Sequence, residues 1–269
     1  MSVDLSDSIA VSPAEIRRAQ MTALVEDQGF VRVADLAARF GVSKVTVRSD
    51  LDALETHGRL RRIRGGAVPR DVLRSEQPFE VAARDLADEK AAIGRYAAGL
   101  VADGDTVLLD VGTTTTAVAE ALVARTELRD VTAVTSGLKV ALTLEQAWPR
   151  ISVIVTGGTL RRLQHSLVNP LATLVLERLN ASLAFIGCNG VDPGGGVTNI
   201  NLPEAEVKRT MLLSARRPIV VADATKLGEI EVAKVCDLAE VSMLVTDSGA
   251  DPAVVAEIIA AGCDVELAT

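Results

Sequence analysis

A chain of 269 residues, 48% hydrophobic and 24% charged, has the composition of a soluble globular protein of one or two domains, and too many apolar residues for disorder. Only 2% of it is aromatic, so Val, Leu, Ile and Ala must build the core, and the rings that single-stranded nucleic acid stacks on are lacking. The net charge of −8 hides an asymmetry: residues 1–74 hold 12 basic and 10 acidic side chains, residues 75–269 hold 16 and 26, so a slightly basic head precedes a strongly acidic body.

Residues 1–12 read as a flexible tail. Acids stand where a signal peptide would be basic, and no run approaches the roughly 18 apolar residues that span a bilayer, so neither export nor a membrane partner is expected. The pattern of residues 13–28 predicts a helix with Ile16, Ala19, Ala23 and Leu24 on one face, closed by Gly29. A second short helix runs from Val33 to Phe40, with Leu36, Ala37 and Phe40 inward, and Gly41 ends it. Ser43 is placed to cap a third helix, from Lys44 to about His57, stopped by Gly58. RLRRIRGGAVP then predicts a hairpin turning at Gly65–Gly66. Three short helices and a basic hairpin make a winged helix-turn-helix over residues 13–70, and the charged stretch 71–90 with Pro78 reads as a linker.

If Val47, Leu51 and Leu54 anchor the third helix, its other face presents Val45, Thr46, Arg48, Ser49 and Asp52. That polar set with a single exposed valine suits base edges, phosphates and a thymine methyl. A solvated helical face would look the same. The hairpin decides between them, because Arg59, Arg61, Arg62 and Arg64 follow within a few residues and unmixed like charges need phosphates to neutralise them. The candidate DNA-contacting residues are therefore Ser43, Lys44, Val45, Thr46, Arg48 and Ser49 on the helix and its cap, with Arg59, Arg61, Arg62 and Arg64 in the wing. The partner is an operator in double-stranded DNA, read by at least two heads of a homo-oligomer because one head makes few base contacts.

From Gly104 the pattern changes. TVLLDV, VTAVTS, ISVIVTGG, SLAFIG, RPIVVAD and VSMLVTD are short apolar runs, and AVAEALVA, GLKVALTLE, PEAEVKRTML and DPAVVAEIIAAG are amphipathic stretches between them. Strands alternating with helices predict an α/β domain, residues 91–269, with a mainly parallel sheet covered on both faces. DVGTTTTAVAEAL runs from a strand end through a Gly/Thr turn into a helix, where free N–H groups and the helix dipole favour anions. TSGLK and TGGT repeat that chemistry at later strand ends, and together they form a rim suited to a polar or phosphorylated ligand. Neither GxGxxG after the first strand nor GxxxxGK[ST] is present, and GVDPGGG reads as a turn. Glu204 and Lys208, spaced by one helical turn, read either as a surface salt pair or as a cation aimed at a ligand. Cys188, Cys236 and Cys263 are scattered and lack CxxC spacing, which supports reduced, mostly buried thiols in a cytoplasmic protein and no metal; no cofactor is expected.

VRVADLAARFGVSKVTVRSDLDALETHGRLRRIRGGAV resembles the helix-turn-helix and wing of DeoR-family transcriptional regulators, departing from the usual pattern at Ser49, where a second arginine is common. FIGCNGVDPGGGVTNINLPEAEVKRTML and the later ADATKLG resemble the sensor domain of the same family, so the likeness spans nearly the whole chain. It implies a body akin to ribose-5-phosphate isomerase and a regulator, typically a repressor of sugar or polyol metabolism, released from DNA by a phosphorylated sugar. By that likeness Asp110, Gly112, Thr113, Thr114 and Thr115 line the phosphate and sugar pocket, Ser136, Gly137, Gly157 and Gly158 extend it, and Glu204, Lys208, Asp223 and Lys226 close it. Asn169, where Gly is usual, and Ser182, near a usual acid, are further departures. The competing reading is a sugar-phosphate isomerase with an appended DNA-binding domain. Isomerisation needs a carboxylate base, and Asn189 stands where the isomerases carry an acid, leaving only Asp192 in that loop. His57 and His165 sit in no nucleophile motif, so a non-enzyme is expected.

Overall fold

The computed structural model describes residues 12–28, 31–56, 59–63, 65–69 and 76–269. It divides into two units, Met1–Gln77 and Pro78–Thr269. Residues 1–11 of the proposed tail, the stops at Gly29 and Gly58, and Arg64 lie outside the described residues.

In the first unit the helices are α1 (Pro13–Gln28), α2 (Val33–Phe40) and α3 (Lys44–Thr56). The strands are β1 (Val31–Arg32), β2 (Leu60–Ile63) and β3 (Gly66–Pro69), and they form one antiparallel sheet in the order β1-β3-β2. Met21, Val25, Leu36, Val47, Leu51, Leu54, Leu60 and Ala67 form its core. Gly41 ends α2 in the left-handed region. Ser43 Oγ accepts the Thr46 N–H at 3.0 Å, satisfying one orphan donor of the α3 N-terminus.

The expected inner face of α1 is rotated. Ile16 is 50% exposed and Ala19 and Ala23 face solvent, whereas Met21 and Val25 are buried; of the expected set only Leu24 packs, partly buried, against the core. The cause is polar: Arg17 and Arg18, a turn before Met21, donate through Nε to the buried carboxylate of Asp50 on α3 at 2.7 and 2.8 Å. That fork fixes the rotation of α1 and makes 17, 21 and 25 the packed stripe.

The second unit opens with α4 (Phe79–Ala82) and α5 (Ala87–Gly99). Residues 79–90, expected within the linker, belong to this unit because Phe79 buries its ring and the Lys90 ammonium donates to the carbonyls of Ala82 and Asp85 at 2.7 and 2.6 Å. There follow β4 (Thr106–Leu109), α6 (Thr113–Ala124), β5 (Val131–Thr135), α7 (Leu138–Leu144) and β6 (Ile151–Val155). Next come the hairpin β7 (Thr159–Arg161) and β8 (Ser166–Val168), α8 (Leu171–Leu176), β9 (Ala181–Ile186), β10 (Gly190–Asp192), β11 (Gly196–Asn199) and α9 (Leu202–Leu213). The chain ends with β12 (Ala215–Val221), β13 (Ala233–Cys236), β14 (Met243–Asp247), α10 (Pro252–Ala260) and β15 (Val265–Ala268).

Seven strands form a wholly parallel sheet in the order β15-β14-β12-β9-β4-β5-β6. Alternation along each strand feeds two cores. On β4, Val107 and Leu109 join the cluster containing Ile93, Val118 and Leu122, while Leu108 joins that of Met211, Val207 and Leu176 on the opposite face. The antiparallel set β10-β11-β13 packs over the second face. Successive strands leave β4 in one direction, through β5 and β6, and leave β9 in the other, through β12 and β14. The crevice beyond the carboxyl ends of β4 and β9 is thus the topological switch point, where open α/β sheets bind ligands. No helix among the described residues is long and apolar enough to cross a membrane.

Candidate functional site

The first unit offers a face for DNA. Val45 is 72% exposed, and Ser43, Lys44, Arg48 and Ser49 are exposed with it along the N-terminal half of α3, while Thr46 is half-buried. Arg59, at the start of the wing, is also exposed. Arg62 is engaged: its guanidinium pairs with Asp52 on α3 and its backbone N–H donates to Glu55 at 2.7 Å, so the wing is tied to the helix it flanks. The side chain of Arg61 and the whole of Arg64 lie outside the described residues.

In the second unit the crevice is organised by Asp110, wholly buried just past β4. Its Oδ2 accepts the Gly187 N–H at 3.0 Å across the switch point and is paired with the Lys208 ammonium, which α9 carries and buries. Among the described residues Asp110 Oδ1 has no hydrogen-bond partner, and neither has Ser136 Oγ, which is also buried. The two belong to adjoining turns, since a Cβ on Gly137 would stand 3.3 Å from Val111 Cα. Buried polar atoms in a folded protein are normally satisfied, so an unsatisfied pair at a strand-end crevice marks where a ligand or water completes the bonding.

Gly112 caps α6, whose first-turn N–H groups, those of Thr113, Thr114 and Thr115, have no partner within the helix. The hydroxyls of Thr115 and Thr116 do not extend that donor set. They donate back to Gly112 O at 3.0 and 2.7 Å.

Glu204 and Lys208 are not a surface pair. Both are buried, and each has a different partner: Lys208 takes Asp110, while Glu204 receives Arg161 Nη1 at 2.7 Å and the Ser166 hydroxyl. Burial pushes the Asp110 carboxyl above the usual carboxylate range, against the pull of Lys208. Burial also works against the charge on Lys208, but Asp110 and Glu204 outweigh it and hold the ammonium above its ordinary value. Cys188, beyond β9, feels the charges of Lys208, Lys226 and Asp223, and burial pushes its thiol to about 12, so it stays a neutral thiol.

The remaining expected residues have structural work of their own. Asp223 Oδ1 caps the short turn Ala224–Lys226 through Thr225, and Lys226 is half-buried beside it. Gly157 and Gly158 make the β6–β7 turn, with Leu171 and Val168 as their neighbours. A Cβ at Gly158 would fall 2.1 Å from Val168 O, so only glycine allows the reversal that carries Arg161 and Ser166 over α9. Arg161 and Ser166 carry no local signal, since neither sits in a strand-end Gly/Thr turn or at helical spacing from a charge, and Gly187, although it closes the run SLAFIG, bonds through its backbone N–H alone. In the loop after β9, Asn189 Oδ1 accepts the Ile200 N–H at 3.1 Å and Asp192 Oδ1 accepts those of Gly194 and Gly195 at 2.8 and 2.7 Å.

A winged helix-turn-helix ahead of an α/β body with a polar crevice at its switch point defines a DNA-binding regulator with a sensing domain. The chain belongs to the DeoR family: residues 17–71 match the DeoR-like helix-turn-helix domain and residues 86–248 the DeoR C terminal sensor domain. It is 36% identical to the HTH-type transcriptional regulator GlpR of Haloferax volcanii, over 94% of this chain and 97% of that protein. It is 33% identical to a putative aga operon transcriptional repressor of Escherichia coli O157:H7, over 92% of this chain and 91% of that one. Among solved structures, a probable sor operon regulator from Shigella flexneri matches with a TM-score of 0.42 at 16% identity, over 62% of this chain and 87% of its own. Ribose 5-phosphate isomerase A from Methanocaldococcus jannaschii matches with a TM-score of 0.37 at 19% identity, over 53% of this chain and 55% of its own. The chain is a DeoR-family transcriptional regulator.

Proposed function

We propose that this regulator represses a sugar or polyol operon from the cytoplasm and leaves its operator when a phosphorylated sugar fills the crevice between β4 and β9. The observation that carries the reading is the unsatisfied pair Asp110 Oδ1 and Ser136 Oγ, buried beside the N-terminal turn of α6. A phosphate seats on the free N–H groups of that turn, where the helix dipole favours it. Sugar hydroxyls donate to Asp110 Oδ1 and exchange hydrogen bonds with Ser136. Lys208 pulls against the burial that raises the Asp110 pKa and offers its remaining N–H groups to the ligand. Relatives named for an aga operon repressor and, in Streptococcus mutans, a lactose phosphotransferase system repressor support the substrate class.

The isomerase alternative loses the base expected in the loop after β9, since Asn189 cannot take a proton and Asp192 caps its own turn. Two heads on repeated half-sites give the specificity that one exposed α3 face cannot, so the working unit is a homo-oligomer. A tenfold loss of DNA affinity on ligand binding requires about 1.4 kcal/mol of coupling. The test is a thermal-shift and DNA-binding screen of phosphorylated sugars against their unphosphorylated counterparts. Stabilisation and DNA release by a phosphorylated member alone is expected; release by none of them overturns the reading. Aldose–ketose turnover would restore the enzyme hypothesis, and sedimentation as a monomer with and without DNA would remove the oligomer.

A further inference from the structure

The chain enters the body at Pro78, directly after the unit that carries the reading head, and there it is gripped by the turn that builds one wall of the crevice. The Phe79 N–H donates to Leu163 O at 3.0 Å. The Phe79 ring meets that of His165 edge-on, with centroids 5.8 Å apart and planes at 78°. Glu80 takes His165 Nε2 at 2.6 Å, and this bond holds its carboxyl below the usual range. Lys139 completes the grip, its ammonium 3.9 Å from Glu80 and 5.8 Å from the Phe79 ring centroid.

The other ends of the same two backbone segments face the crevice. Ser166 follows His165 and donates its hydroxyl to buried Glu204; Ser136, with its unpartnered hydroxyl, lies three positions before Lys139. The segments are laced together by Leu138 N–H to His165 O at 2.9 Å and Leu167 N–H to Ser136 O at 2.8 Å, so neither shifts alone. His165 itself is held at φ +52, a left-handed conformation that a non-glycine residue keeps only where its surroundings impose it. At the far end of α4, Lys90 grips the Ala82 and Asp85 carbonyls while feeling the charges of Asp223 and Lys226.

We propose that the clasp of His165 on Phe79 and Glu80 is the relay through which occupancy of the crevice reaches the reading head. The inference rests on the sugar-phosphate reading of that crevice. A ligand that takes up Ser136 and displaces the Ser166–Glu204 bond re-aims the laced turn. His165 then leaves Glu80, and α4 is freed at the point where the chain continues to the head. Such a contact is either made or broken, which supplies the discrete element that differential ligand affinity must bias. His165 and Glu80 touch neither DNA nor the ligand; they are positioning residues.

The test uses the full chain, a DNA duplex enriched by that chain from random sequence, and three probes: ribose 5-phosphate, fructose 1-phosphate and glycerol 3-phosphate. In Glu80→Ala and in His165→Ala, ligand-free DNA affinity and probe affinity stay within about twofold of the parent, while the probe's weakening of DNA binding shrinks by about fivefold or more. The double variant is no worse than either single one, because each alone already opens the His165–Glu80 bond. A full response in both variants overturns the relay, as does probe binding that falls in step with the response. If no probe binds the parent, the sugar-phosphate reading loses its support, and the relay is decided without ligand. Ser166→Ala, at the crevice end, must then speed hydrogen exchange by about fivefold at the Val81, Ala82 and Ala83 amides, which bond back to Pro78 and Phe79. Unchanged exchange there overturns it.

Discussion

Replacing Lys208 by Met tests whether the crevice is built around a charge that needs its partner. The substitution keeps a straight chain of similar volume, and the ammonium it removes is the only cation bonded to Asp110 among the described residues. What remains is a fully buried carboxylate with the Gly187 N–H on Oδ2 and, among the described residues, no hydrogen-bond partner within range of Oδ1. Stripping one partner from a buried pair costs about 3–5 kcal/mol. In a domain of this size each kcal/mol lowers Tm by about 2–4 °C, so the body should melt roughly 6–20 °C lower at neutral pH. Proton uptake by Asp110 limits the loss. Burial already raises its pKa, and without Lys208 it rises further above the unfolded value. A group whose folded pKa is raised contributes stability once pH drops below it, so the deficit shrinks in acid. Adding Asp110→Asn removes the stranded charge and should recover most of the loss. Calorimetry of the full chain at pH 7.5 and 5.5 measures all of this. A Tm unchanged by Lys208→Met, or a deficit that grows in acid, would refute the reasoning.

In the head, Asp50→Asn should lower stability by about 1–3 kcal/mol by weakening the fork to Arg17 and Arg18. Burial works against the charge of Asp50, but the two guanidinium groups prevail and depress its pKa below 3.8, so the parent loses that stability as pH falls from about 4 and the variant does not; urea titrations across pH 3–6 follow it. Asp52→Asn should free Arg62 for phosphate, tightening DNA binding and steepening the slope of log K against log salt by up to about 0.9, and neutralising Arg61 and Arg62 together in that variant should flatten it again by about two such contacts. Gly158→Ala, at φ +130 and 2.1 Å from a carbonyl oxygen, should cost at least about 2 kcal/mol in urea unfolding, more than Gly104→Ala, where a Cβ meets nothing.

Much of this was legible in the chain because it rests on period and punctuation. The helices α2 and α3 carried apolar spacing with Gly41 and Ser43 at their ends, and six strands of the parallel sheet were short apolar runs closed by turn residues. What escaped depends on partners distant in sequence. Two residues of β1 offer no alternation to read, and α1 was rotated by Arg17 and Arg18 reaching Asp50 on another helix. VELA became β15 only because β14 offered it an edge. At the site, Asp110, Gly112 and Ser136 stood in recognisable strand-end turns. That Lys208 turns to Asp110, and Glu204 to Arg161 and Ser166, is decided by how α9 lies across β8 and β9, which no local pattern encodes.

The short strand β1 also bears on the thermodynamics of operator binding. It pairs Val31 and Arg32 with Ala67 and Gly66 of β3, and the Val33 N–H at the start of α2 bonds to Gly65 O in the wing turn at 2.9 Å. The wing strands are therefore part of the folded sheet before DNA arrives, and their backbone ordering has already been met in folding rather than in association. Binding should then release counterions without the large negative heat-capacity change that marks folding coupled to recognition. Calorimetric titrations over a range of temperatures should give a nearly constant enthalpy, and affinity for DNA should respond to salt far more than to temperature.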